Sequence, residues 1–492
     1  MKRNIKRIIR LIKEKWLRQT SLTILLVAII LIVFILINTI VNNLSLKPID
    51  FTKEKIYSLS DESKNEVKKV EQNVTIYFFG YEEDETPVVL GKQYHDVNDK
   101  ITVMIVKPEE RPDLATEYGI SSGDKLVAVQ SSQRNKAISE NDMYTYDTTT
   151  YKTIDVTEQK ITNAILDVTI VSKPKVYFLA GHGEYGISES EPLYLLSQYV
   201  VNDVNDVSSL DLLSSDMPET CDVLVIANPT KDFTDIETEK IQTYINNGGK
   251  IIWLQDPYMN IKNYNADNFK NTNSILSQFG ISFSRGYVLE ESTDNMIAGL
   301  RDFIIPELTY NEIVKDIYTD GNIIMTDAGK ITTASSDKLE ELGVTVDTFI
   351  KSSENSYYKD FVNQNTTLDK AEGDEEGPFV LGETLTKKVS EDKNATLIAY
   401  SNALFSTNIT IPLANTAIIP LGLRNNKDIL LNTVAYLTNR EDSIRIRKDT
   451  GAVNFETATE SQDRIVKAVI FAVPVCIIIV GVIIAIIRKR KK

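Results

Sequence analysis

Cysteine and histidine each occur only twice in 492 residues. Cys221 lies in the body of the chain and Cys476 in an apolar run near its end, so no internal disulfide is expected and the fold must rest on its hydrophobic core. His95 and His182 are too few for a His-rich metal centre, and the Cys/His spacing of a zinc site is absent. No Cys-x-x-Cys pair occurs, which excludes thiol redox chemistry. No Gly-x-x-x-x-Gly-Lys-[Ser/Thr] occurs, so the chain is not expected to hydrolyse ATP itself. No Gly-x-Ser-x-Gly or Gly-x-Cys-x-Gly nucleophile elbow is expected, and Cys221 opens its strand rather than sitting on a strand-to-helix turn. The acidic runs Glu82-Glu83-Asp84-Glu85 and Asp374-Glu375-Glu376 lack the ligand spacing of a calcium loop and read as solvated loops. Positive charge is also scarce: 54 Lys and Arg face 69 Asp and Glu, for a formal charge of −15. Many of the basic residues gather at the two ends, leaving the body more acidic still. That balance excludes nucleic acid as a partner, since phosphate binding needs a basic footprint.

What the chain has in quantity is apolar length at its ends. Residues 22–41 (LTILLVAIILIVFILINTIV) and 465–487 each hold roughly 20 apolar residues, the length that spans a ~30 Å hydrocarbon core as a helix. Lys2, Arg3, Lys6, Arg7 and Arg10 precede the first run, and Arg488, Lys489, Arg490, Lys491 and Lys492 follow the second. Basic flanks stay on the cytoplasmic side. The expectation is a bacterial cytoplasmic-membrane protein with two spans, both termini cytoplasmic and the large domain outside. An uncleaved anchor is favoured over a signal peptide because the first run is long and lacks a small-residue cleavage site.

The expected fold class is α/β. Two terminal transmembrane helices flank a degenerate thioredoxin-like domain and a doubly wound parallel-sheet domain. Residues 1–21 form a basic segment, 22–41 the first span, 42–172 the thioredoxin-like domain and 173–440 the parallel-sheet domain. An irregular insertion is expected at about 260–374, then a linker at 441–464, the second span at 465–487 and a basic tail at 488–492. In the first domain, Val74–Phe79, Ile101–Val106 and Lys125–Gln130 read as strands, with a short helix near Asp113–Tyr118. In the second, Lys175–Ala180, Asp222–Ala227 and Ile251–Leu254 read as buried parallel strands. Thr234-Asp235-Ile236-Glu237 has capping-box spacing, and Gly248 sits where a C′ glycine closes a helix. Ala395–Ser401 and the helix carrying Leu430, Leu431, Val434 and Leu437 follow, and residues 442–448 read as a last strand.

Several segments in this order resemble the auxiliary-component family of ABC transporters typified by the gliding-motility protein GldG. They are Asp50-Phe51-Thr52 through Leu59-Ser60, Val176–Ala180 with Gly181-His182-Gly183-Glu184, Asn247-Gly248-Gly249-Lys250 with Asp256-Pro257, Gly377-Pro378-Phe379, and Asn426-Lys427-Asp428 through Leu437. Tyr436 stands where the family usually has Trp. The resemblance implies a non-catalytic accessory subunit working with a separate permease and a separate ATPase, held by lipid through its spans and facing a substrate, the cell envelope or an exported partner. It also implies that the sheet domain is like a class I glutamine amidotransferase without its catalytic apparatus. No cofactor is implied.

His182 and Glu184 follow a parallel strand at its carboxyl end, where open α/β sheets place ligands, and Asn228 and Asp256 end two further strands at the same edge. These four are the candidate ligand or partner contacts; no catalytic residue and no metal ligand is assigned. The same residues also read as turn structure, and His182 beside Glu184 as a general base of a surface hydrolase or amidase. A stand-alone sensor or adhesion module is the other alternative. The sequence does not name a substrate or a direction of transport.

Overall fold

A computed structural model describes residues 57–440 apart from 122, 148–151, 259–260, 262–265, 316, 319–321, 361–366 and 414–415, together with residues 29, 32, 33 and 36. The chain divides into two units, 1–55 with 458–492, and 56–457. Of the first unit, Ile29, Ile32, Val33 and Leu36 are described, and they are helical. Every element below belongs to the second.

The second unit opens with a small α/β lobe. Helix α1 (Asp61–Lys68) starts at Ser60, whose hydroxyl accepts from the Ser63 amide, and Asp61 and Glu62 occupy its first turn. Strand β1 (Val74–Phe79), helix α2 (Thr86–Val97), strand β2 (Ile101–Val106), helix α3 (Pro112–Glu117) and strands β3 (Leu126–Ser131) and β4 (Asn135–Ser139) follow. The sheet order is β2-β1-β3-β4, with β2 parallel to β1 and the other neighbours antiparallel. A hairpin of β5 (Tyr144–Asp147) and β6 (Lys152–Asp155) leads to helix α4 (Thr157–Thr169). Ile161, Ala164, Ile165 and Val168 recur at helical spacing and bury α4 against Ile76, Phe78 and Val129.

Gly91 sits in the middle of α2 because a Cβ there would lie 2.5 Å from the Phe78 ring. Gly91→Ala is expected to gain about 1 kcal/mol of helix propensity and to lose about 2 kcal/mol to overpacking. The expected result is a lower urea midpoint; a midpoint that rises would mean α2 stands off β1.

The second lobe is built on a ten-stranded mixed sheet. Its first half alternates strands and helices. They are β7 (Lys175–Ala180), α5 (Tyr194–Asn202), β8 (Asp206–Asp211), β9 (Val223–Ala227), α6 (Asp235–Asn246) and β10 (Lys250–Leu254). After α7 (Lys270–Ser277) come β11 (Ile281–Phe283), β12 (Ile331–Thr333), β13 (Val344–Lys351), β14 (Val380–Lys388), β15 (Asn394–Tyr400) and helix α8 (Asn426–Leu437). The order is β11-β12-β14-β15-β10-β9-β7-β8, with β13 also paired to β14 and the two-residue strand Glu307–Leu308 paired to β13 as the tenth. Strands β15, β10, β9, β7 and β8 are mutually parallel. Helices α5 and α8 share one face with Phe178, Val225 and Ile398, while α6 and α7 cover the other with Leu224, Ile251 and Trp253. Helix α6 is bounded as its sequence predicts: Thr234 and Glu237 exchange both capping-box bonds, and the Gly248 and Gly249 amides return to Ile245 and Tyr244.

Two parts of the expected fold class are corrected. Among the described residues no helix is long and apolar enough to cross a membrane. The longest, α4, has 13 residues, about 20 Å against a core of about 30 Å. The two flanking transmembrane helices are therefore not part of the described architecture, and the localisation built on two spans falls with them. The runs at 22–41 and 465–487 lie outside the described residues, save for the four helical positions named above. The sheet, moreover, is not purely parallel. Residues expected to form an irregular insertion supply β11, β12 and β13, and with β14 these add an antiparallel half.

Candidate functional site

The parallel strands set the geometry. The carboxyl ends of β7, β9, β10 and β15 lie side by side, so residues 181–185, 228–231, 255–257 and 401–404 meet along one edge of the sheet. The structure thus brings His182, Glu184, Asn228 and Asp256 to the same edge and sorts them into two networks.

The first network holds His182. Its side chain is 7% exposed and sits between two buried carboxylates, with Nε2 3.1 Å from Glu237 Oε2 and Nδ1 3.7 Å from Glu184 Oε1. The other Glu184 oxygen accepts from the His182 amide at 2.6 Å, closing the turn on itself. The His182 carbonyl accepts from the Thr230 and Lys231 amides, tying the β7 loop to the β9 loop. Gly183 is required here: its φ is +77°, and a Cβ would fall 2.1 Å from Thr230 Oγ1. His182 Nδ1 and Glu184 Oε1 are buried and face each other without a hydrogen bond among the described residues. Burial pushes the Glu184 carboxyl above its ordinary pKa, with the nearby Glu237 charge adding to it, so a proton on Glu184 is retained to a higher pH than on an exposed glutamate. On the other side the imidazole packs edge-on against Phe233, with ring centroids 5.0 Å apart, and Phe233 continues to Trp253 in the sheet.

The second network is centred on Asp256, which is fully buried. Its Oδ1 accepts from Asn402 Nδ2 (3.0 Å), the Ala403 amide (2.7 Å) and the Leu404 amide (2.9 Å), and its Oδ2 accepts from the Tyr185 hydroxyl (2.8 Å). Asp256 thus caps the short helical turn Leu404–Ser406 and pins it to β10. Burial raises its pKa against the pull of those four donors. Asn228 adopts the left-handed conformation at φ 55°, and its Oδ1 accepts from Gln255 Nε2 and the Asp256 amide.

Four contributors were not visible in the sequence. Glu237 is read there as a helix cap; the structure gives the same carboxylate to His182 as well. Tyr185 links the two networks by following the His182 turn and bonding Asp256. Asp327, at φ 55°, stands half-buried close to both Asp256 and the half-buried Asp302. Burial and the two neighbouring carboxylates push Asp327 up to about 6. Only the left-handed backbone at Asp327, a conformation that favours Asp and Asn, left a faint signal in residue type.

The expected absence of a Gly-x-Ser-x-Gly segment is corrected: the spacing occurs at Gly119-Ile120-Ser121-Ser122-Gly123. Its central Ser121 is exposed and lies after helix α3 and before strand β3, a helix-to-strand connection rather than the strand-to-helix turn a nucleophile needs. Cys221 precedes β9, at the opposite edge of the sheet from His182, and burial pushes its thiol up to about 11. Among the described residues no group of three or more His, Cys, Asp or Glu side chains is arranged to hold a metal ion.

Residues 173–433 match a family model described as ABC-type uncharacterized transport system. No curated protein matches the chain. A solved structure of the mmIFT52 N-terminal domain is similar at a TM-score of 0.38 and 12% identity, covering 54% of this chain and 97% of that one, a likeness too loose to carry an argument.

Proposed function

The chain belongs to the ABC-type uncharacterized transport system family, and from that premise we propose that it is an accessory component without chemistry of its own, acting beside a separate permease and a separate ATPase. The matched span, 173–433, is the mixed-sheet lobe, so the family resemblance and the candidate site fall on the same structure. The observation that carries the non-catalytic reading is the commitment of Asp256: it is buried, and four donors from Tyr185, Asn402, Ala403 and Leu404 hold its two oxygens, so it serves as a strut between loops. Asn228 is likewise occupied by Gln255 and the Asp256 amide.

In this reading Asp256 and Asn228 hold the loops, and the turn at Gly181–Glu184, whose glycines expose backbone to solvent, is the part presented to a transported substrate or a partner protein. Affinity purification of the full chain after mild cross-linking should recover a permease and an ATPase in stoichiometric amounts; preparations containing neither remove the reading. His182→Ala separates it from a hydrolase. An accessory protein carrying that change keeps its partners, whereas a hydrolase loses turnover of its substrate while its partners are irrelevant.

A further inference from the structure

Strand β8 is the last strand of the large sheet, and among the described residues it pairs with β7 alone. Its sequence, Asp206-Val207-Ser208-Ser209-Leu210-Asp211, contains no lysine, arginine or proline, the residues that ordinarily blunt a free edge. Asp206, Ser208 and Ser209 are exposed. The two charges of β8 are the aspartates at its ends, so the edge is a template for one more strand that carries charge of the opposite sign.

The chain itself arrives at this place. Helix α8 ends with Asn439 in the left-handed conformation, φ 55°, and with the Asn439 and Arg440 amides bonded back to Tyr436 and Ala435. Lys250, the first residue of β10, donates to the Leu437 carbonyl, which puts this helix end at the amino-terminal edge of the parallel strands. The Arg440 guanidinium then donates from Nη1 to the carbonyls of Asp203 (2.9 Å) and Val204 (3.1 Å), immediately before β8 begins. The residues that come next, 442–448, lie outside the described residues; their sequence is Asp-Ser-Ile-Arg-Ile-Arg-Lys, an apolar and basic alternation of period two.

We propose that the free edge of β8 is the docking site of residues 442–448 of the same chain, which pair with it in parallel as an added edge strand. Three constraints point to this occupant and this direction. Six residues of β8 span about 20 Å, and seven residues of extended chain cover about the same distance. A chain starting beside Val204 can therefore run alongside β8 in the same direction. To pair antiparallel it would first have to travel that length, consuming the residues that are to pair. Handedness agrees. Helix α5 carries the chain from β7 outward to β8 over the sheet face it shares with α8. A connection from β15 through α8 to a strand outside β8 crosses the same face in the same direction, and so has the same hand, the right-handed one that parallel crossovers adopt. Charge agrees as well: Arg445, Arg447 and Lys448 would lie beside Asp206 and Asp211, and the two isoleucines alternate with the arginines so that apolar and basic side chains take opposite faces.

The test is cysteine cross-linking in the full chain with Cys221→Ser and Cys476→Ser as background. Neighbouring strands bring Cα atoms within disulfide range. Asp206→Cys is expected to bridge to a cysteine at 443 or 444 and not at 447. Ser209→Cys is expected to bridge at 446 or 447 and not at 443. The reverse pattern, no bridge at any pair, or bridges found only between two chains would each overturn the proposal, the last by assigning the edge to a second copy. Independently, Ile444→Pro and Ile446→Pro should accelerate hydrogen exchange at the β8 amides that do not bond β7 by at least tenfold while leaving β9 and β10 unchanged. Unaltered exchange in β8 would overturn it too. These outcomes are independent of whether the transport reading stands, because none of them involves a permease or an ATPase.

Discussion

Asp256→Ala is expected to destabilise the mixed-sheet lobe by about 4 kcal/mol, the scale of breaking a buried network by removing its acceptor. Four donors converge on this carboxylate, from Asn402, Ala403, Leu404 and Tyr185. Alanine leaves them in a space from which water is excluded. Asp256→Asn is the informative companion. Its oxygen can still accept from the Ala403 and Leu404 amides, and its amide can donate to the Tyr185 oxygen, so a loss of about 1 kcal/mol is expected. The two variants also differ in pH dependence from the native chain. Burial raises the folded pKa of Asp256, so the folded state holds that proton more strongly than the unfolded one. The native chain therefore loses this contribution as pH rises through the folded value, whereas asparagine has no proton to lose. The gap between native and Asp256→Asn should narrow with rising pH. Trp253, buried on β10 three residues before Asp256, provides the fluorescence signal for urea titrations. If alanine and asparagine cost the same at every pH, Asp256 is not the strut described above.

How much of this was legible depends on how locally each element is determined. Strands β7, β9 and β10 announce themselves as short continuous apolar runs because both faces of the sheet around them are covered by helices. The capping box and terminal glycines of α6 are local devices, and the sequence states them completely. The helices α2 and α4 escape local patterns for different reasons. Thr86–Val97 carries a proline, a mid-helix glycine and adjacent valines, which suppress helix propensity, and only the fit of Gly91 against Phe78 explains the sequence. Thr157–Thr169 has the spacing in plain view, yet its flanks lack a side-chain cap. The antiparallel half was illegible because strands of three residues such as Ile331–Thr333 have no period to read, and because the partners of β14 come from positions 331 and 344–351.

The candidate site divides along the same line. That His182, Glu184, Asn228 and Asp256 share one edge follows from strand order, which local patterns predict. What each residue does there does not. Glu237 reaches His182 from a helix, 55 positions further along the chain, and Asp256 bonds residues 402–404, from the end of another strand. Roles set by such long-range partners depend on which loops the fold places together, and no local pattern contains that information. Two carboxyls that burial holds above their ordinary range, Asp256 and Asp327, consequently look in the sequence like ordinary turn residues.

The same blindness covers Glu383, whose pH behaviour carries the second large prediction. It lies in the middle of β14 with no exposed surface. Its carboxyl accepts from the Thr333 hydroxyl at 2.9 and 3.2 Å and from the Thr348 hydroxyl at 3.5 Å, and among the described residues it forms no ion pair. Two neutral hydroxyls cannot replace the water a carboxylate gives up, so burial pushes its pKa from 4.5 to about 7. The folded chain thus binds this proton more tightly than the unfolded chain. The associated stability is fully present below pH 4.5, is lost as pH rises through about 7, and amounts to about 3 kcal/mol once the group is ionised. Glu383→Gln keeps the shape and cannot ionise. It should match the native chain within about 1 kcal/mol at pH 4 and exceed it by about 3 kcal/mol at pH 8, read as a rising difference in urea midpoint. Asp256 and Asp327 titrate in both proteins and cancel from that difference. A difference that stays flat from acid to alkaline pH would place the Glu383 charge in contact with water, and the antiparallel half of the sheet would then not close dry over β14.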